Sequence, residues 1–302
     1  MASAQELDKA LAELKRITGI TLEARAETDE ELELALTQVH CLSLAYKEKY
    51  NKNHFLQNLM TDGIPSFDIF ERASRLHIDA ETPRVLFLLE TRNPIDDTIT
   101  EVLKNLFPSQ SKTYLVNMGE CSLVILKPRK TSESSEDIDQ LAHMIVDTLN
   151  MEALTHVQAA YSGTVETLMD VSQAYKETSL ALKVGKLFYP EQTIFPHDRL
   201  GIGRLIYQLP VSICENFLKE IFGGEVPRAF DEETTATINK FFQNNLNIAE
   251  TSRQLHMHRN TLIYRLEQIE RRTGLDIRKF EDAMTFKIAT MVINYLQTER
   301  KS

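Results

Sequence analysis

At 302 residues, 42% apolar and 26% charged, the chain has the composition of a soluble globular protein, long enough for two domains or for one domain with appendages. Its longest wholly apolar run, residues 85–89, is far too short to cross a bilayer, and Cys41, Cys121 and Cys214 are too scattered for a disulfide framework or a Cys-rich metal site, so buried reduced thiols are expected. A net charge of −10 excludes a protein that coats nucleic acid indiscriminately, yet residues 253–279 carry seven basic side chains against three acidic ones, which suggests an acidic body joined to a basic reader segment.

In chain order, the N-terminus lacks a basic stretch followed by an apolar one, so no secretory signal is read and the expected location is the cytoplasm. A helix is predicted over 5–17 and a short strand over 19–24. From about residue 29, Leu32, Leu36, Val39, Ser43, Tyr46 and Tyr50 recur at spacings of three and four, one stripe along a helix. Such a stripe suits a short coiled-coil seam between two copies or packing against the chain's own next domain. Residues 1–53 are therefore read as an N-terminal helical and dimerisation segment.

Residues 54–202 alternate helical and strand patterns. A helix to about 76 is followed by a buried strand at 84–90 and a helix over 96–106 that ends near Pro108. Apolar runs at 114–117 and 122–126 flank Met118-Gly119-Glu120-Cys121, the pattern of a hairpin. A helix at 135–149, a strand at 156–161, a helix at 165–187 and a short strand at 193–195 complete the series. The order βαββαβ with a trailing helix and strand implies a split-βαβ sheet with helices on one face. The polar stretch 127–137 reads as a surface loop within this domain. Residues 203–302 show helical patterns only, broken at Gly223-Gly224, Pro227 and Gly274, so the fold class is α+β with an all-α C-terminal domain.

The C-terminal domain holds the chemistry. Asn247, followed three residues later by Glu250, opens a short helix in the manner of a capping box. His256-Met257-His258 then reads as a turn, and a second helix runs from Arg259 to about Arg272, closed by Gly274. Two short helices joined by a tight turn, with the small Ser252 where they must approach, form a helix-turn-helix pattern. At 100° per residue, Leu262, Leu266 and Ile269 make one apolar stripe, with Met257 under the turn.

The opposite face carries Asn260, Tyr264, Glu267 and Arg271, with Thr261 and Gln268 beside them. Asn260 has the paired donor and acceptor that match adenine, while Thr261 and Tyr264 can reach base edges, phosphate or a thymine methyl. Arg259 and Arg265 flank the apolar stripe and suit the phosphate backbones bordering a groove. His258 at the helix start can approach a phosphate where the helix dipole favours an anion. The DNA-binding candidates are thus His258, Arg259, Asn260, Thr261, Tyr264, Arg265, Gln268 and Arg271. His256 and His258 do not share a helix face and lack a third ligand nearby, so no metal is assigned.

The run Asn260-Thr-Leu-Ile-Tyr-Arg-Leu266, with Thr273-Gly274-Leu275-Asp276 after it, resembles the C-terminal helix-turn-helix of the PucR/CdaR family, regulators of purine catabolism and sugar-diacid use whose reader domain is itself similar to that of Fis-type proteins. Upstream, His54-Phe-Leu-Gln-Asn-Leu59, Arg72-Ala73, the strand from Arg84, and Ala174-Tyr175 through Leu182 to Gly185 resemble that family's GGDEF-like domain. The resemblance implies a homodimeric or higher-order transcriptional regulator that binds double-stranded DNA and answers to a small-molecule effector. A diguanylate cyclase needs carboxylates that hold Mg²⁺ against a triphosphate. Here the turn is Met118-Gly119-Glu120-Cys121-Ser122, with Glu90 and Glu120 the only candidates, so no enzyme, cofactor or catalytic residue is expected. The competing readings are a nucleotide-handling enzyme or cyclic-dinucleotide receptor built on the middle domain, and a Fis-like DNA bender without an effector. No purine or sugar-diacid input module is recognisable in the first fifty residues, so the resemblance does not carry the effector.

Overall fold

The computed structural model describes residues 4–18, 21–24, 26, 28–50, 52–223 and 231–299. It divides into two compact units, residues 1–183 with 191–199 and residues 184–190 with 200–302.

The first unit begins with two helices, α1 (Ala4–Thr18) and α2 (Asp29–Tyr50). Leu7, Ala10 and Leu14 of α1 form a small core with Val39, Leu32 and Leu36 of α2. The stripe on α2 is thus occupied over its first half by the chain's own α1, and Ser43 is buried as well. Tyr46 and Tyr50 lie beyond the described side chains. Thr21–Ala24 is not a strand, and the strand's first two predicted residues, Gly19 and Ile20, lie outside the described residues.

The helix expected over 54–76 is two helices, α3 (Lys52–Met60) and α4 (Ser66–Arg75). Asp62 takes a left-handed φ of 58° between them, and Pro65 caps α4. The carboxylate of Asp62 accepts from the hydroxyl of Ser172 and pairs with Lys176, which stabilises the break.

The sheet comprises β1 (Arg84–Thr91), β2 (Tyr114–Gly119), β3 (Ser122–Pro128), β4 (Val157–Tyr161) and β5 (Ile194–Pro196) in the order β2-β3-β1-β4-β5. β1 runs antiparallel to both β3 and β4, and β5 is parallel to β4, so β1 and β2 point the same way with β3 between them. This is the expected split-βαβ arrangement. Helices α5 (Asp97–Leu106) and α6 (Ser135–Glu152) cover one face. Their Leu103, Ile145 and Leu149 pack on Val85, Phe87 and Leu89. Each helix starts where its cap dictates: Asp96 Oδ1 accepts from the Ile99 amide at 2.9 Å, and Ser134 and Asp137 form a reciprocal capping box.

The second face is covered too, contrary to the one-sided expectation. Leu86, Leu88, Val124, Leu126 and Ala160, which alternate with the first set, are equally buried, and α3 packs against β2. The unbroken apolar run of β1 records a strand dry on both faces. Helix α7 (Val171–Phe188) starts later than expected, because Thr167 and Asp170 form a capping box around a 3-10 turn and Val165 pairs with Arg84 as an isolated bridge.

The second unit is helical among its described residues: α8 (Gly201–Tyr207), α9 (Val211–Phe222), α10 (Glu232–Gln243), α11 (Ile248–Gln254), α12 (Arg259–Thr273) and α13 (Phe280–Glu299). Gly223 ends α9 in the left-handed conformation, while the expected breakers Gly224 and Pro227 lie outside the described residues. Helix α13 serves two cores. Its Ala283 and Phe286 pack with Phe241, Leu262, Leu266 and Ile269, whereas Met291, Val292, Tyr295 and Leu296 pack with Ile206, Cys214 and Leu218. Of the three cysteines only Cys214 is buried; Cys121 is half-buried and Cys41 exposed. No helix among the described residues is long and apolar enough to cross a membrane.

Candidate nucleic-acid interface

Helices α10 to α12 build the candidate interface from local signals. Asp231 Oδ1 accepts from the Thr234 amide at 2.8 Å and starts α10, and Asn247 Oδ1 accepts from the Glu250 amide at 3.1 Å and starts α11. The Glu250 carboxylate does not return to Asn247 but holds Arg253 and Gln254, so only half of the expected capping box forms. Between α11 and α12 the chain reverses through His256, whose φ is 50°. A non-glycine residue in that region costs roughly 1–2 kcal/mol, and glycine would give back roughly 0.5–1 kcal/mol in unfolded-state entropy. His256→Gly is therefore expected to stabilise this unit by up to about 1.5 kcal/mol, seen as a higher urea midpoint; a lower midpoint would contradict it.

His258 is the N-cap of α12, and its Nδ1 accepts from the Asn260 amide at 3.2 Å. A neutral imidazole that accepts at Nδ1 carries its proton on Nε2, a donor suited to a phosphate oxygen at a helix N-terminus. Gly274, at φ 77°, closes the helix and donates to the Glu270 carbonyl.

Leu262, Leu266 and Ile269 are at most 1% exposed, and Met257 packs against the same core, so the apolar stripe lies where helical arithmetic put it. On the other side His258, Arg259, Asn260, Thr261 and Arg271 are exposed, Tyr264 is 59% exposed, and Glu267 and Gln268 are half-buried. Arg259 and Arg271 make no ion pair with the described residues.

The rest of the basic cluster is engaged within the protein. Arg265 reaches back to α10, where its guanidinium pairs with Glu233 and donates to the Thr237 hydroxyl at 3.2 Å. Arg253 pairs with Glu250, Lys279 lies 3.6 Å from Asp276, and Arg272 also has a partner. The apparent surplus of charge over 253–279 is thus largely neutralised by acids outside and inside that stretch. Arg265 fixes α12 to α10, a contact 28 to 32 residues away in sequence that local pattern does not reveal.

Arg278, one cation among seven in the linear sequence, is a hub. Its Nε donates to Asp276 at 2.6 Å and its Nη2 to Glu270 at 2.7 Å, with Glu267 at 3.8 Å. Two acids of α12 are thereby tied to the loop behind it. The Arg278 guanidinium holds the Asp276 carboxyl below the usual carboxylate range. A carboxyl with a lowered folded pKa contributes stability above its unfolded pKa of about 3.9 and loses it as pH falls through the lower folded value. Asp276→Asn is therefore expected to lower Tm at pH 7, with the gap to wild type closing below about pH 4. A gap constant from neutral to acid would contradict the pairing.

In the first unit, the turn joining β2 to β3 is laced to the end of β1. The Glu120 carbonyl accepts from the Ile95 amide at 2.7 Å and the Cys121 carbonyl from the Thr91 amide at 2.9 Å. Glu120 is exposed, and Glu90 is half-buried with Ser122 opposite it in the strand register. Among the described residues no three His, Cys, Asp or Glu side chains are grouped to hold a metal ion.

Two family models match this chain: the PucR C-terminal helix-turn-helix domain over residues 234–292, which spans α11 and α12, and the GGDEF-like domain over 61–184, which includes β1 to β4. The chain is 23% identical over 266 residues to the carbohydrate diacid regulator of Escherichia coli, covering 85% of this chain and 69% of that one. It is 28% identical over 144 residues to the purine catabolism regulatory protein of Bacillus subtilis, covering 45% of this chain and 27% of that one. Against the DNA-binding transcriptional activator AdeR of Bacillus subtilis the identity is 21% over 299 residues, 93% of this chain and 67% of the relative.

Proposed function

We propose, on the premise that this chain is a PucR/CdaR-family protein with a PucR-type helix-turn-helix and a GGDEF-like domain, that it is a sequence-specific DNA-binding transcriptional regulator of a metabolic operon. The observation that carries the reading is the segregation of α12 into a buried apolar stripe and an opposite face on which Asn260, Thr261, Tyr264 and Arg271 stand exposed beside Arg259. In this reading α12 enters the major groove, Asn260, Thr261 and Tyr264 read base edges, and Arg259, Arg271 and Nε2 of His258 hold phosphates. Gln268 sits at the margin of that face. In this reading Arg265 positions the helix through Glu233 and is not assigned to a phosphate.

A homodimer is proposed, since paired half-sites need paired readers. The GGDEF-like domain is read as a packing and relay element without catalysis, which its backbone-laced hairpin turn supports. The effector is a small metabolite whose class does not follow from the relatives' names, because the chain spans 27% to 69% of the first two relatives' lengths. The test is a thermal-shift screen of metabolites coupled to a gel shift on DNA from the protein's own locus. One compound is expected both to stabilise the protein and to change DNA binding. A protein with no preference for that DNA over unrelated DNA at moderate salt would overturn the reading.

A further inference from the structure

A cleft in the first unit lies among loops that no role above uses. It is lined by Arg129 after β3, Ser135 in the first turn of α6, Gly163 after β4, and His197 and Arg199 after β5. It encloses about 50 Å³. At roughly 10–15 Å³ of such space per water it has room for about three to five waters or one group of that size, far less than a nucleotide needs.

Three features equip it for an anion. The Arg129 guanidinium is held in place by the Thr164 hydroxyl and, at 3.1 Å, by the Glu133 carbonyl, so it is ordered in advance. His197 is set at the cleft by its backbone, whose amide donates to the Tyr161 carbonyl at 3.0 Å. At residue 163 a Cβ would stand 3.1 Å from Cε1 of His197, so glycine there makes space for the ring.

The charges around the cleft fit the same ligand. The Tyr161 hydroxyl donates to Asp139 at 2.6 Å and occupies that carboxylate, and Arg199 lies 4.0 Å from it. Asp198, which also lines the cleft, is exposed.

We propose that this cleft binds a small oxyanion, a carboxylate or phosphate group, between Arg129, Arg199 and the His197 imidazole that lines it. As an input to transcription the site rests on the function proposed above; as a binding site it does not. The experiment is calorimetric titration of the full chain with acetate and with inorganic phosphate, in a buffer containing neither. Saturable binding of at least one probe at one per chain is expected, and whichever binds more tightly identifies the group. Arg129→Gln and Gly163→Val should each weaken it at least tenfold. Arg199→Gln, at a side chain that is 59% exposed, provides a variant whose fold is not at risk and should weaken it about tenfold, one lost charge-assisted contact. Absence of saturable binding of both probes, or binding that these variants retain unchanged, would overturn the proposal. A gel shift without either probe reports DNA binding separately, so failure of the regulator reading would leave the calorimetric result standing.

Discussion

Phe286→Ala is expected to destabilise the C-terminal unit by about 3–5 kcal/mol, the usual cost of emptying a buried phenylalanine site. The ring is 1% exposed, stacks on Phe242 with centroids 6.4 Å apart, and belongs to the core that also holds Leu262, Leu266 and Ile269 of α12. A unit stable by about 5–15 kcal/mol would lose a large share of its margin, and DNA binding at 37 °C should fall with it. Phe280, six residues earlier on the same helix, is 69% exposed, and its replacement by Ala should stay within about 0.5 kcal/mol. Urea unfolding of both variants checks the pair. Equal costs would mean that α13 does not present this face to the core.

Asn260→Ala is expected to cost roughly 1–3 kcal/mol of discrimination at one base pair while leaving affinity for unrelated DNA nearly intact. Arg259→Ala should instead weaken all sequences alike and lower the salt slope by about 1. Arg265 separates the two kinds of basic residue. Because its guanidinium is held by Glu233 and Thr237, Arg265→Met should reduce stability and leave the salt slope unchanged. Binding isotherms for specific and unrelated duplexes at several salt concentrations measure all three. A salt slope that falls as much for Arg265→Met as for Arg259→Ala would return Arg265 to the phosphates.

Local periodicity and capping carried much of this architecture in plain view. The stripe Leu262, Leu266 and Ile269, the αL glycine at 274, and the strands and helices around the hairpin at 118–121 follow from spacing and turn chemistry alone. The break in the helix over 54–76 was also legible, since Asp62-Gly63-Ile64-Pro65 is turn chemistry that the apolar pattern on either side outweighed. Other features were not legible because their causes are distant. The unbroken run of β1 says that the strand is dry but not which helices dry it, and α3, which packs on β2, comes from before the sheet. Counting arginines over 253–279 could not show that Glu233 neutralises Arg265 or that Arg278 gathers Glu267, Glu270 and Asp276. Charge on a linear sequence measures supply, and only folding shows which cations remain for a ligand. Here Arg259 and Arg271 remain, beside the side chains proposed to read bases.

That α12 reads DNA sequence is the central claim, and selection from a random duplex library tests it most directly. Wild-type protein should enrich one motif, and Asn260→Ala should lose preference at a single position within it. Recovery of unenriched sequence by the folded wild-type protein at moderate salt would contradict the claim.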